Sequence, residues 1–164
     1  MEKKEEPGFR TLRGYRIFDQ NLGRLSPAVE DYLEMIFRQC AENGYTRVGR
    51  ISSELHVKPS SASKMIGRLA REGFLNYERY EIIQLTDEGK KLGEYLLSRH
   101  NIVASFLKLI GSESALEEVE IIEHPLSAAT VNNIRTLLAF FEANPQTRAE
   151  FDAYREKPAA QQAP

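Results

Sequence analysis

The sequence predicts a mainly α-helical chain: an N-terminal winged helix-turn-helix with a small β-wing, followed by a helical dimerisation domain. Three observations predict it. Short helical patterns at 47–55 and from Pro59 to the Gly73 stop flank the tight turn His56-Val57-Lys58. Two β-prone runs, Phe74-Leu75-Asn76-Tyr77 and Ile82-Ile83-Gln84-Leu85, then bracket the polar turn Glu78-Arg79-Tyr80-Glu81. From Thr86 onward the apolar pattern is helical, and the helical pair at about 117–124 and 128–144 carries more apolar surface than two short helices hide alone.

A chain of 164 residues is long enough to bury a core as one domain or two small ones. Its formal net charge of −2 does not announce a polyanion partner. The distribution says more. Residues 44–72 carry six Lys/Arg against two Glu, whereas 112–124 carry five Glu and no Lys/Arg. A basic stretch followed by an acidic one suits a polyanion surface and a cation site on the same chain. The one cysteine, Cys40, excludes an intramolecular disulfide and a cysteine-based zinc site, and on an apolar helical face it reads as core. No apolar run reaches membrane-spanning length and the charged N-terminus has no secretory core, so a soluble, cytoplasmic protein without a membrane partner is expected. There is no Gly-rich phosphate loop, and no small organic substrate is expected.

In chain order, 1–25 opens Met-Glu-Lys-Lys-Glu-Glu-Pro-Gly and reads as a partly disordered arm. Its Phe9, Leu12, Tyr15, Ile17 and Phe18 are available for docking, and Arg10, Arg13 and Arg16 for phosphates. Ser26-Pro27 is a helix start and Asn43-Gly44 a helix end. Between them Val29, Leu33, Ile36, Phe37 and Cys40 form an apolar stripe, with Asp31 and Glu34 on one face beside it. In the helix-turn-helix, Val48, Ile51, Leu55, Met65, Ile66 and Leu69 point inward. Thr86, followed by Asp87 and Glu88, caps a long helix that Gly111 stops. Its stripe is Leu92, Leu96, Val103, Phe106, Leu107 and Ile110. A helical pair at about 117–124 and 128–144 follows, and its apolar surface suggests a helical dimer interface. The segment from Pro145 to Pro164 reads as a frayed tail.

The second helix of the helix-turn-helix starts with Pro59 and small hydroxyl residues, a start that suits entry into a major groove. Ser60, Ser61, Ser63 and Lys64 are the base-edge or phosphate candidates on double-stranded DNA. Arg47, Arg50 and Arg68 are positioning candidates, and Arg79 stands at the tip of the wing, opposed there by Glu78 and Glu81. A generic helical hairpin with a solvated polar face has the same pattern.

The stretch Val119 to Ser127 holds the second constellation. If helical, Glu120, Glu123 and His124 lie at i, i+3 and i+4, on one face within a turn. Two carboxylates and an imidazole hold a divalent metal when other segments add ligands. Solvated glutamates beside a chance histidine fit the same spacing. His100, on the apolar side of the long helix, reads by itself as a satisfied core histidine.

Together these pieces resemble the metal-dependent repressors of the diphtheria-toxin-repressor family, and within it the manganese-regulating branch. The resemblance spans about 25–144. It is carried by Glu30-Asp31-Tyr32-Leu33-Glu34, Lys58-Pro59-Ser60-Ser61-Ala62-Ser63-Lys64-Met65, Leu85-Thr86-Asp87-Glu88-Gly89-Lys90-Lys91-Leu92-Gly93, Arg99-His100 and Glu120-Ile121-Ile122-Glu123-His124. It implies metal ligation by Asp31, Glu34, His100, Glu120, Glu123 and His124. The iron-responsive branch has Met in place of Asp31 and Cys in place of Glu120. The resemblance further implies a homodimer that binds one or two Mn²⁺ per subunit, binds an operator when metal-loaded, represses manganese uptake genes and is not an enzyme. The expected organisation is an arm (1–25), a winged-helix DNA-binding domain (26–93), a helical metal-binding and dimerisation domain (94–145) and a tail (146–164). The N-terminal arm is longer than the branch leads one to expect, and there is no room for the C-terminal SH3-like domain of the iron-responsive relatives. Three alternatives stay open: an iron- or other divalent-metal-dependent repressor, a metal-independent winged-helix regulator, and a di-metal carboxylate enzyme.

Overall fold

A proline at the first helical position fixes φ where no hydrogen-bond donor is needed. Among the described residues, three helices start that way. In the computed structural model, which describes residues 25–77, 82–113 and 115–157, α1 runs Pro27–Asn43. Ser26 is extended at its N-cap but makes no side-chain cap bond, so the start rests on Pro27 and on Val29 and Glu30 N–H groups donating to the Ser26 carbonyl. Gly44, at φ 77°, ends the helix in a left-handed turn that donates to the Cys40 carbonyl.

Helices α2 (Val48–Glu54) and α3 (Pro59–Arg71) follow. His56, at φ 54°, turns the chain between them. Strands β1 (Leu75–Asn76) and β2 (Gln84–Leu85) pair antiparallel, Leu75 opposite Leu85. The strands are shorter than the two β-prone runs. Thr46, in the connection between α1 and α2, bridges Ile83 with two backbone hydrogen bonds of 2.9 Å. The wing tip, including the candidate Arg79, and the arm with Arg10, Arg13 and Arg16 lie outside the described residues.

Helix α4 (Asp87–Ile110) is anchored at its start by Thr86. The Thr86 hydroxyl donates to the Gly73 carbonyl at 2.7 Å and accepts from Gly89 N–H at 3.0 Å. A Cβ on Gly89 would lie 2.0 Å from the Phe74 carbonyl oxygen, and one on Gly93 would lie 2.6 Å from Phe37 Cβ. Gly89 therefore packs on the Phe74 backbone and Gly93 on the Phe37 side chain, and neither position leaves room for a Cβ. The described residues group into two compact units that divide inside α4, between Ser98 and Arg99. The first unit is built on fourteen buried residues contributed by α1, α2, α3, both strands with the Ile83 bridge, and α4, among them Leu33, Ile36, Ile51, Ile66, Leu69 and Leu96.

The second unit contains the end of α4, α5 (Ala115–Ile122), α6 (Ala128–Ala143) and α7 (Pro145–Arg155). Its buried apolar cluster is small: Val103, Leu107 and Val119, with Phe106, Ile122 and Leu126 partly buried against it. Two expectations are corrected here. Residues Pro145–Arg155 are helical, not a frayed tail, because Asn144-Pro145 starts α7, Phe151 packs on Phe141 at 5.3 Å between ring centroids, and Arg148 pairs with Asp152 at 2.8 Å. Helix α5 also stops at Ile122, before Glu123 and His124. Pro125 disfavours helical backbone at the residue before it, so the chain leaves the helix as it reaches His124.

Candidate metal centre and nucleic-acid interface

A buried histidine needs a partner for each polar ring nitrogen, and a buried carboxylate needs a cation or donors. On α4, His100 follows Leu96 by four residues, which turns it to the covered side of the helix, where it is 8 % exposed. The Glu123 side chain is 2 % exposed. Although it lies one residue past α5, its N–H still bonds the Val119 carbonyl at 2.9 Å, which holds it in helical register. The two meet at 3.4 Å, His100 Nδ1 to Glu123 Oε1. Glu120, half-exposed on the last turn of α5, brings Oε1 to 3.8 Å from the same His100 nitrogen. Glu120 and His124 present ligand atoms within 4.8 Å of one another. The second unit thus draws His100, Glu120, Glu123 and His124 into one cluster. The i, i+3, i+4 spacing brings them close even though the helix ends between them.

This donor set fits a divalent cation. Carboxylate oxygen and imidazole nitrogen are the donors that hard and borderline metals take, and sulfur is absent from the cluster. Glu123 Oε2 is buried and accepts no hydrogen bond among the described residues. The Arg99 guanidinium at 3.7 Å offsets part of the cost of burying that oxygen, and coordination of an ion would supply the bond it lacks.

Asp31 and Glu34 lie in the first unit, three residues apart on α1. The Glu34 carboxylate accepts from Arg38 Nε at 3.0 Å. Glu30, one residue before Asp31, is 4 % exposed. It is a buried acid that its position in the motif did not single out. The sequence also gave Arg99 no role of its own, yet its side chain is 1 % exposed and reaches both Glu123 (Nε to Oε2, 3.7 Å) and His124 (Nη2 to Nδ1, 3.4 Å). The signal was present in the spacing: Arg99 follows Leu92 by seven residues and precedes Val103 by four, on the same stripe.

The first unit carries the basic face. Pro59, Ser60, Ser61 and Lys64 are exposed on the opening turns of α3, and Ser63 is half-buried on its flank. Arg47, extended at the N-cap of α2, is exposed. Two of the positioning candidates are already held by acids: Arg50 by Glu42 at 3.0 Å and Arg68 by Glu72 at 2.8 Å. Partially exposed pairs of this kind are weak, so they orient the guanidinium groups without removing them from a stronger polyanion. No described helix is long and apolar enough to cross a membrane.

Comparison with known proteins gives two adjoining matches. Residues 24–83 match the family described as "Iron dependent repressor, N-terminal DNA binding domain", and residues 86–152 match "Iron dependent repressor, metal binding and dimerisation domain". The HTH-type transcriptional regulator MntR of Bacillus pumilus is 39 % identical over 134 residues, 80 % of this chain and 93 % of that protein. The regulator of the same name from Listeria welshimeri is 41 % identical over 122 residues, 73 % of this chain and 86 % of that protein. The solved structure of the manganese regulator SloR superimposes with a TM-score of 0.61 at 24 % identity, covering 71 % of this chain and 55 % of that one, and shows the shared fold. The di-metal enzyme alternative falls with these matches, because the family is one of regulators. The chain belongs to the iron-dependent repressor family and is a DNA-binding, metal-dependent transcriptional regulator, not an enzyme.

Proposed function

We propose that the protein is a homodimeric, manganese-activated repressor of manganese uptake genes, which holds one or two Mn²⁺ per subunit through Asp31, Glu34, His100, Glu120, Glu123 and His124. The observation that carries this reading is the cluster of His100, Glu120, Glu123 and His124 with its buried, unbonded Glu123 Oε2. The all-oxygen and nitrogen donor set supports manganese over the iron-responsive pattern, which has sulfur at the positions of Asp31 and Glu120. A bound divalent ion would supply positive charge that relieves repulsion among the carboxylates.

The chain's own residues then divide the work. Asp31 and Glu34 come from the helix that precedes the helix-turn-helix. Glu120, Glu123 and His124 come from the dimerisation domain. A ligand set drawn from both favours one arrangement of the two domains, and DNA binding rises only because that arrangement is the DNA-competent one. In the dimer, two α3 helices meet successive major grooves about 34 Å apart. Lys64, Ser60, Ser61 and Ser63 make base-edge or phosphate contacts, and Arg47, Arg50, Arg68 and Arg79 fix the register on phosphate. Exposed Leu116, Ile121, Leu137 and Phe140 supply apolar surface for the dimer contact.

The test is fluorescence anisotropy of chelator-treated protein on promoter DNA of a candidate manganese transporter gene, titrated with Mn²⁺ and separately with anaerobic Fe²⁺. Tight binding that appears with micromolar Mn²⁺ is the expected result. Equal binding with and without metal overturns the switch, and a response to Fe²⁺ alone reassigns the metal.

A further inference from the structure

We propose that Arg99 is the resident counter-cation of the second unit's acidic cluster, competing with the metal for Glu123 and His124 and so setting the metal concentration at which the protein responds. The inference rests on reading that cluster as a metal site. The Arg99 side chain is 1 % exposed and heads the fully buried side chains by volume. Its Nε lies 3.7 Å from Glu123 Oε2 and its Nη2 lies 3.4 Å from His124 Nδ1. A guanidinium is always charged and only donates. Where it donates to His124 Nδ1, the neutral ring carries its proton on Nε2, and neither nitrogen then offers a lone pair to a metal. At Glu123 the guanidinium faces Oε2 and competes for that oxygen alone, while Oε1 faces His100. Arginine and metal ion are cations seeking the same atoms.

Two consequences follow, of opposite sign. Arg99 stabilises the metal-free chain, because a buried carboxylate without a cation is costly. It also weakens metal binding by the work needed to release its contacts. An arginine present only for packing has the first effect and lacks the second.

The experiment uses the full chain and two variants, Arg99→Met, which keeps a long apolar stem, and Arg99→Lys, which keeps the charge. Mn²⁺ affinity is measured by competition with a fluorescent chelator, and the thermal midpoint is measured in EDTA and in saturating Mn²⁺. Arg99→Met is expected to bind Mn²⁺ about tenfold more tightly, to melt about 5 °C lower in EDTA and to recover most of that loss in Mn²⁺. Arg99→Lys, whose point charge lacks the fork that spans both partners, is expected between Arg99→Met and wild type. Where Arg99→Met does not fold, Arg99→Lys binding Mn²⁺ more tightly than wild type supports the proposal. Variants that bind Mn²⁺ no more tightly than wild type overturn it, leaving Arg99 a packing residue. A wild-type chain that binds no Mn²⁺ in the same titration overturns the metal-site reading itself, and the Arg99 inference with it.

Discussion

The first unit has the larger apolar cluster, and the second sets a buried charged cluster beside a small apolar one. Fourteen buried residues form the apolar cluster of the first unit, against three in the second. The second unit instead buries Arg99, His100 and Glu123 together, while Leu116 and Ile121 on α5 remain more than 70 % exposed. Apolar burial is non-directional and fixes a shape once. A buried polar cluster is directional and responds to whichever cation enters it. A regulator needs both: one part that keeps its DNA-reading surface unchanged, and one part whose stability depends on the signal.

That contrast is breakable by mutation, and the largest effect belongs to the first unit. Gly89→Ala puts a methyl group 2.0 Å from the Phe74 carbonyl oxygen. It is expected to destabilise the chain by about 3 kcal/mol, read as a lowered thermal midpoint that Mn²⁺ does not selectively restore. A midpoint within 2 °C of wild type (roughly the shift of 0.5–1 kcal/mol) would show that α4 slides freely on the wing backbone.

Glu123→Ala strikes the second unit. It removes the buried carboxylate facing both His100 and Arg99. Mn²⁺ affinity is expected to fall by about 100-fold, roughly 2.7 kcal/mol, and the rise in thermal midpoint that ligand binding supplies should vanish. The metal-free protein should still fold. An apo-protein that is unfolded would make Glu123 structural and would blur the contrast between the units.

Lys64→Ala removes an exposed charge from α3. Operator affinity should drop by about 1 kcal/mol, with the salt slope reduced by about one, while chelator competition reports unchanged Mn²⁺ affinity. Equal losses in both assays would contradict the division of labour.

The smallest effect sharpens the picture of the apolar unit. Burial pushes the Cys40 thiol above its ordinary range. As pH rises, the unfolded chain therefore gives up this proton first. The stability contributed is full below the unfolded thiol value of about 8.5 and is lost as pH climbs toward the folded value. Cys40→Ala should flatten the fall in chemical-denaturation midpoint at alkaline pH above about 8.5. An unchanged slope would assign the fall to other groups.

Most of the helices were legible because their boundaries are written in local chemistry. Ser26-Pro27, Asn43-Gly44, Pro59, Gly73, Thr86 and Gly111 all stand at or beside observed ends of elements. The same chemistry stood at Asn144-Pro145 and was overshadowed by the polar composition that follows. The Thr46 bridge was invisible for a different reason, since its partner Ile83 is far along the chain and a single paired residue has no period. At the candidate metal centre, spacing brought Glu120, Glu123 and His124 to notice and resemblance added His100, Asp31 and Glu34. Spacing gave no reason to choose between a packed and a charged role for Arg99.

The sequence by itself determined where the helices start and stop, which faces are apolar and which segment is basic, because capping, periodicity and charge are properties of neighbours along the chain. Only the tertiary structure decided that His100 meets Glu123 across 23 residues, that Glu123 Oε2 is buried without a hydrogen bond, and that Arg99 turns inward onto both Glu123 and His124. Those facts depend on how α4 and α5 pack, and the cost of burying a charge is fixed by what surrounds it in space, not by what precedes it in sequence.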